Sequence, residues 1–258
     1  MWKGLDVSDN QGAIDWAQVA AANVAFAILR SVRRSGKTDH QFDANLEGCR
    51  KHGIPIAVYK YTYAATPEVA QQEAQQIVAL LRSYGLTGTM VWWDVEDKDA
   101  LRPLGVEKLT ECIRAAQEVI TTAGYGFGLY IGLYVYKERW FDFNAFAGTR
   151  LWIARYYRGY RTMQFGDEPD QKYKPNVDGD ISVWQYTSCG EIPGIRGDAD
   201  LDIAYDDPAE WTHPAAEPGV IYTVSVADVW AREQAEVIRQ QFAAMGINGI
   251  VHKVKILE

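Results

Sequence analysis

The sequence predicts an α/β fold, an irregular TIM-like (β/α) barrel with reduced helices in its second half, followed by a small βαβ appendage. Three observations predict it. Short apolar runs of strand composition recur from residue 3 to residue 203, and segments with apolar residues at helical spacing separate them through the first half. A Pro-rich stretch then divides this series from one last strand–helix–strand pattern.

The strands are expected at 3–8, 25–32, 54–63, 90–97, 127–133, 151–156, 181–186 and 199–203. Helical periodicity is clearest at 15–22, 39–52, 67–84 and 106–123. Thr66 is a candidate cap, Pro67 occupies a first-turn position that tolerates proline, and Gly85 and Gly124 follow their helices as stop signals. After residue 134 helical content thins, and 158–179 is polar and rich in Gly, Asp, Lys and Pro, so loops are expected to close the second half. Pro208, Pro214 and Pro218 mark 208–219 as a linker, which makes 1–207 the barrel and 220–258 the appendage. In the appendage 221–226 alternates like a strand, 231–245 has a helical period ended by Gly246, and 249–257 reads as a strand again. A unit this short lies near the ~40-residue size at which small folds usually need staples or a partner.

Composition narrows the function classes. The 258-residue chain is 48 % hydrophobic, enough for a sizeable core, and no run approaches the ~20 apolar residues of a membrane span. Met1 to Asp6 shows no signal-peptide pattern, so export by the chain's own leader is not expected. The net charge is −8, and residues 220–258 contribute none of it, because Arg232, Arg239, Lys253 and Lys255 balance Asp228, Glu233, Glu236 and Glu258. An acidic main domain argues against sequence-independent nucleic-acid binding, which needs basic stripes to displace counterions. Nine Trp and fifteen Tyr suit a carbohydrate partner, although rings of this kind also fill cores. Cys49, Cys112 and Cys189 are odd in number and far apart, which reads as reduced structural thiols. His40, His52, His213 and His252 form no metal-ligand pattern, no phosphate loop or Ser/His/Asp set emerges, and neither metal nor cofactor is expected.

The sharpest local signal is Trp92-Trp93-Asp94-Val95-Glu96-Asp97 at the end of the fourth strand. Side chains alternate along a strand, so Asp94 and Glu96 share a face, with Cα atoms roughly 6.6 Å apart. Two carboxylates on an apolar strand repel, and at least one should have a raised pKa, the requirement for a general acid beside a partner. The carboxyl ends of barrel strands are where barrel enzymes place such groups. The first strand supplies Asp6 and the last supplies Asp200 and Asp202 on one face, and closure of a barrel makes those strands neighbours.

Taken together, these residues resemble glycoside hydrolase family 25, the Chalaropsis-type lysozymes found among bacterial autolysins and phage endolysins. The matching pieces are Gly4-Leu5-Asp6-Val7-Ser8 with Gln11-Gly12, Tyr59-Lys60-Tyr61, Asp94-Val95-Glu96, Trp152-Ile153-Ala154-Arg155-Tyr156, Trp184-Gln185-Tyr186 and Asp200-Leu201-Asp202. They run in the family's order over the first 205 or so residues. The resemblance implies a muramidase that cleaves the β-1,4 bond between N-acetylmuramic acid and N-acetylglucosamine in bacterial peptidoglycan. It implies Glu96 as general acid, Asp94 as its partner carboxylate, and Asp6 and Asp200 in support. It also implies Tyr59, Tyr61, Tyr130, Trp152, Trp184 and Gln185 along the sugar groove. Where the family often has His between the third-strand aromatics this chain has Lys60, a position expected to point away from the barrel axis.

The appendage is faintly similar to half of a SPOR-type peptidoglycan-binding domain, which implies wall binding or self-association into a homo-oligomer. An endolysin held in the host cytoplasm until it is released to the wall would account for the missing signal. The competing readings are a bacterial autolysin, a chitin-type glycosidase, and a wall-binding barrel without turnover. Two carboxyls on one strand edge do not flank a sugar from both faces, so attack by the substrate's own 2-acetamido group, with retention, is expected. Inversion with Asp94 or Asp6 as the base for water stays open, because sequence does not set carboxyl separations.

Overall fold

The computed structural model describes residues 1–211. The expected appendage at 220–258, with its SPOR-like pattern and its self-association, lies outside the described residues. So does the linker from residue 212 onward.

Among the described residues nine strands are present: β1 (Trp2–Val7), β2 (Phe26–Arg30), β3 (Ile56–Tyr61), β4 (Met90–Asp94), β5 (Gly126–Gly132), β6 (Arg150–Ala154), β7 (Met163–Gln164), β8 (Ile181–Glu191) and β9 (Ala199–Ala204). All but β7 form a barrel, which runs in order from β1 to β6 and closes through pairings of β6 with β8, β8 with β9 and β9 with β1. The two-residue β7 pairs with the far end of β8 and has no counterpart among the expected strands. Neighbours are parallel from β1 to β6 and across the β6–β8 seam, whereas β9 is antiparallel to both β8 and β1. The reason is chain length. Only residues 192–198 connect β8 to β9, and a parallel return needs a crossover of roughly a dozen residues or more.

Four helices stand at the expected places: α1 (Trp16–Ala21), α2 (Phe42–His52), α3 (Pro67–Ser83) and α4 (Gly105–Thr122). Thr66 caps α3 through a hydrogen bond from the Val69 N–H, and Gly85 and Gly124 take the left-handed backbone that stops a helix, with φ of 63° and 86°. The expected helix at 39–52 starts only at Phe42, because Asp39 is drawn into the barrel mouth, where Arg30 Nε donates to it at 2.6 Å. Beyond β5 only the short α5 (Leu133–Glu138) and single 3-10 turns occur among the described residues, so the second half is loop-closed as expected. No described helix is long and apolar enough to cross a membrane.

Strand alternation sorts the core into two layers. Leu5, Val58, Trp93, Leu129, Ile153 and Leu201 point outward and pack with the helices. Phe26, Ile28, Ala57, Met90, Trp92, Tyr130, Trp152, Val183 and Ala204 point inward and fill the barrel. Gly4 and Gly128 make room for this filling, since a Cβ there would lie 2.6 Å from the Phe26 ring and 2.4 Å from the Trp92 ring.

The barrel continues past residue 207, where the linker was expected to begin. Pro208–Trp211 form a 3-10 turn, and Trp211 is buried at 1 % exposure, edge-on to Phe26 at 4.9 Å and to Trp92 at 6.0 Å. Proline density marked a break in regular structure, but a large ring beside it found an apolar socket, and burial outweighs the break. Trp211→Ala should therefore destabilise the protein by about 3 to 5 kcal/mol, the usual cost of deleting a buried aromatic side chain, read from denaturant or thermal unfolding.

Candidate active site

Alternation that puts Trp92 inside the barrel also puts Asp94 inside, two residues on and nearer the mouth. The strand ends at Asp94, sooner than expected, but the Val95 N–H still donates to Tyr130 O at 2.9 Å. Glu96 therefore leaves the strand still on the inward side. β1 contributes Asp6 in the same way. Because β9 runs antiparallel, its acids lie at its beginning: Asp200 pairs with Asp6 at the mouth, and Asp202 pairs with Gly4 one layer deeper. The expected meeting of the first and last strands is thus a direct cross-strand pair.

These groups open onto a cavity of about 510 Å3 lined by Asp6, Asp94, Glu96, Asp200, Tyr59, Tyr61, Tyr130, Trp152, Gln185 and Tyr156, with Arg30, Arg33, Arg34 and Tyr63 on its wall. Trp184 is the exception among the residues expected there. Its ring is fully buried in the outer layer, and its indole N–H donates to Arg155 O at 3.0 Å. Neighbouring residues of a strand face opposite ways, so Gln185 in the groove excludes Trp184 from it.

A hydrogen-bond chain orders the floor. Tyr130 Oη and Tyr156 Oη both donate to Gln185 Oε1, at 2.8 and 2.7 Å, and Gln185 Nε2 donates to Asp6 Oδ2 at 2.6 Å. Beneath it the Trp152 indole N–H donates to Asp202 Oδ1 at 2.8 Å. Asp94 Oδ1, like Asp202 Oδ2 in the layer below, is buried and has no hydrogen-bond partner. Lys60 points away from the groove, as expected, and pairs with Glu73 on α3 at 3.5 Å.

Burial and mutual repulsion raise every carboxyl of the cluster. Burial is the larger cause for Asp6, followed by Asp200 and Asp202, and for Asp94 it is followed by Glu96, with Lys60 opposing. Glu96 is pushed up to about 7 by burial, Asp200 and Asp97, against Lys98, and Asp200 is pushed up to about 7 by burial and Asp198. Asp202 rises by burial, which the Trp152 hydrogen bond partly offsets. A carboxyl such as Glu96, balanced near neutrality beside a buried partner, can give and recover a proton.

Tyr156 was not among the expected site residues, although alternation could have found it, and Asp202, expected on the face of Asp200, had no role assigned. Asp202 shares the face of Asp200, and Tyr156 continues the inward series of Trp152 and Ala154. Among the described residues no group of three or more His, Cys, Asp or Glu side chains is arranged to hold a metal ion.

Comparison with known proteins extends this picture. The family model described as Glycosyl hydrolases family 25 matches residues 5–195. The autolytic lysozyme of Clostridium acetobutylicum is 23 % identical over 201 residues, which are 78 % of this chain and 55 % of that protein, so the chain spans little more than half of that relative. Among solved structures, the catalytic domain of endolysin ply40 from bacteriophage P40 of Listeria monocytogenes is 25 % identical with a TM-score of 0.65, over 81 % of this chain and 95 % of that one. The modular autolysin LytC from Streptococcus pneumoniae, solved with a synthetic peptidoglycan ligand, is also 25 % identical with a TM-score of 0.65, over 79 % of this chain and 46 % of that one.

The raised carboxyls make the fold pH-sensitive in a defined direction. Each binds its proton more tightly folded than unfolded, so its contribution is complete below the unfolded value near ~4 and is lost as pH rises through the folded value. For Glu96 and Asp200 the folded value is about 7. The thermal midpoint should fall between pH 5 and pH 8, and Asp200→Asn, which removes one such proton, should flatten that fall in scanning calorimetry.

Proposed function

The chain belongs to glycosyl hydrolases family 25, and on that premise we propose that it is a muramidase, cleaving the β-1,4 bond between N-acetylmuramic acid and N-acetylglucosamine in peptidoglycan. The observation that carries this reading is the pair at the end of β4. Glu96 is held near neutrality, and Asp94 beside it keeps a buried oxygen with no partner. An unsatisfied buried acceptor costs free energy unless a ligand supplies a donor, and the N–H of a 2-acetamido group is such a donor.

The reaction follows from those two roles. Glu96 gives its proton to the glycosidic oxygen as the C1–O bond breaks. Asp94 accepts a hydrogen bond from the acetamido N–H and turns that group so that its carbonyl oxygen attacks C1, forming a cyclic oxazolinium. Water then adds to C1, the ring reopens, and the Glu96 carboxylate takes the proton that the water loses, which restores the starting state. Two carboxyls on one strand edge do not flank a sugar from both faces, so an acetamido nucleophile suits them better than a water held between them. Asp6, bound by Gln185, and Asp200 line the same cavity, where an ionised carboxyl favours the developing oxocarbenium ion.

Muropeptides released by the protein should carry N-acetylmuramic acid at the new reducing end, and proton NMR should show the β-anomer first. An α-anomer appearing first would instead mean direct attack by water. Glu96→Gln should lower turnover by about 100- to 10,000-fold while wall binding persists, because the amide keeps the shape and lacks the proton.

The role in lysis is the finer part of the proposal. Likeness to endolysin ply40 supports a phage endolysin that waits in the host cytoplasm and reaches the wall when the membrane opens. To residues 220–258 we assign wall binding or self-association. A chain ended after Trp211 keeps the whole barrel, so it should retain turnover on soluble fragments while binding intact walls more weakly in a pull-down assay.

A further inference from the structure

One wall of the groove carries charge that the chemistry above does not use. Arg33 and Arg34 line the same cavity as the carboxylates, yet the cation acting on Glu96 is Lys98 and the one acting on Asp94 is Lys60. Both arginines sit on a tight hairpin that follows β2. Val32 bridges Thr38, the Arg33 N–H donates to Lys37 O at 2.8 Å, the Gly36 N–H donates to Arg33 O at 3.0 Å, and Gly36 turns the chain with φ of 77°. Arg33 Nε donates to Thr38 O at 3.0 Å, which anchors the guanidinium at its root and leaves its two terminal nitrogens without a protein acceptor among the described residues. The Arg34 guanidinium lies 4.3 Å from the centre of the Tyr63 ring, a stacked position that orders it while its edge stays open.

Neither arginine has an acidic partner among the described residues, whereas Arg30 beside them is held by Asp9 and Asp39. In a chain of net charge −8, two uncompensated and pre-ordered guanidinium groups on the wall of an acid-floored groove suit an anionic ligand. Planar guanidinium edges match carboxylates in particular. Sugar rings of the glycan carry no charge. On the muramidase reading, the anions of the substrate are carboxylates of the peptide stem attached to muramic acid and, where the stem is missing, the bared lactyl carboxylate.

We propose that Arg33 and Arg34 form a subsite for a carboxylate of the peptide stem, so that the protein favours glycan strands that still bear stems over strands stripped of them. This rests on the muramidase reading and adds to it the part of the substrate that sets specificity.

The test uses the full chain and three soluble, uncross-linked substrates: strands with stems, the same strands stripped by an amidase, and stripped strands whose lactyl carboxylate is methyl-esterified. Both kcat/KM and calorimetric binding are measured for the parent, the Arg33→Gln/Arg34→Gln double variant and the Arg33→Lys/Arg34→Lys double variant. On stem-bearing strands the Gln variant should lose about tenfold or more, mostly in KM, while the two stripped substrates change less than about threefold, as expected for lost charge-assisted hydrogen bonds. The Lys variant should recover part of the loss, and added salt should shrink the preference of the parent. Equal losses on all three substrates would overturn the proposal. So would a loss that persists on stripped strands and vanishes only on the ester, which would assign the wall to the lactyl carboxylate. Absence of cleavage in the parent would overturn the muramidase reading instead. Binding alone would then decide the subsite, where a stem-dependent loss supports it and stem-independent binding overturns it.

Discussion

Like-charge burial at the mouth of the barrel is the constraint on which the rest of the structure depends. Asp6, Asp94, Glu96 and Asp200 line one cavity, with Asp202 in the layer below, and every one of them binds its proton more tightly than a free carboxyl does. Carboxyls can be kept this close only where the surroundings prevent them from turning out into water. A closed sheet does this, because each side chain is fixed by the parity of its strand, and no strand can slip by one residue without turning its apolar set inside out.

The apolar floor beneath the carboxyls supplies the rigidity. Trp152 lies edge-on to Trp92, Tyr59 and Tyr130, and Trp211 closes the layer below against Trp92 and Phe26. Two of these rings also touch the polar layer, since Trp152 donates to Asp202 and Tyr130 donates to Gln185. Packing and catalysis are therefore coupled through the same side chains. Gln185 shows the coupling most directly: with both tyrosine hydroxyls on its oxygen, its amide nitrogen can only face Asp6.

Departure from a regular (β/α) barrel serves the site as well. A parallel last strand would end at the mouth, with its first residues buried at the opposite face. Reversal of β9 brings its opening Asp200 level with Asp6 and leaves Ala204 at the bottom beside Trp2. Loss of full helices after β5 removes little from this arrangement, because apart from Trp211 the buried inner layer is made by strands, and 3-10 turns and loops suffice to cover the outer one.

How much of this was legible in the sequence follows from the range of each interaction. Strand and helix positions, the Thr66 cap, the turn glycines and the pairing of Asp94 with Glu96 are set by neighbours a few residues apart, so alternation and spacing revealed them. Period-two alternation also held the information that Trp184 faces away from Gln185, and the same rule, which put Asp202 on the face of Asp200, would have added Tyr156. Three features lay beyond any local pattern. The direction of β9 depends on how far residues 192–198 must reach across a closed sheet. The end of the barrel at Trp211 depends on a socket formed by Phe26 and Trp92, distant in sequence. The charge of Arg33 and Arg34 gains meaning only because folding compensates Arg30 and leaves them bare beside the groove. By itself the sequence determined the elements and the chemistry they carry, since both are properties of short segments. Tertiary structure alone decided which of those groups meet, because closure of the barrel sets distances between residues that the chain keeps far apart.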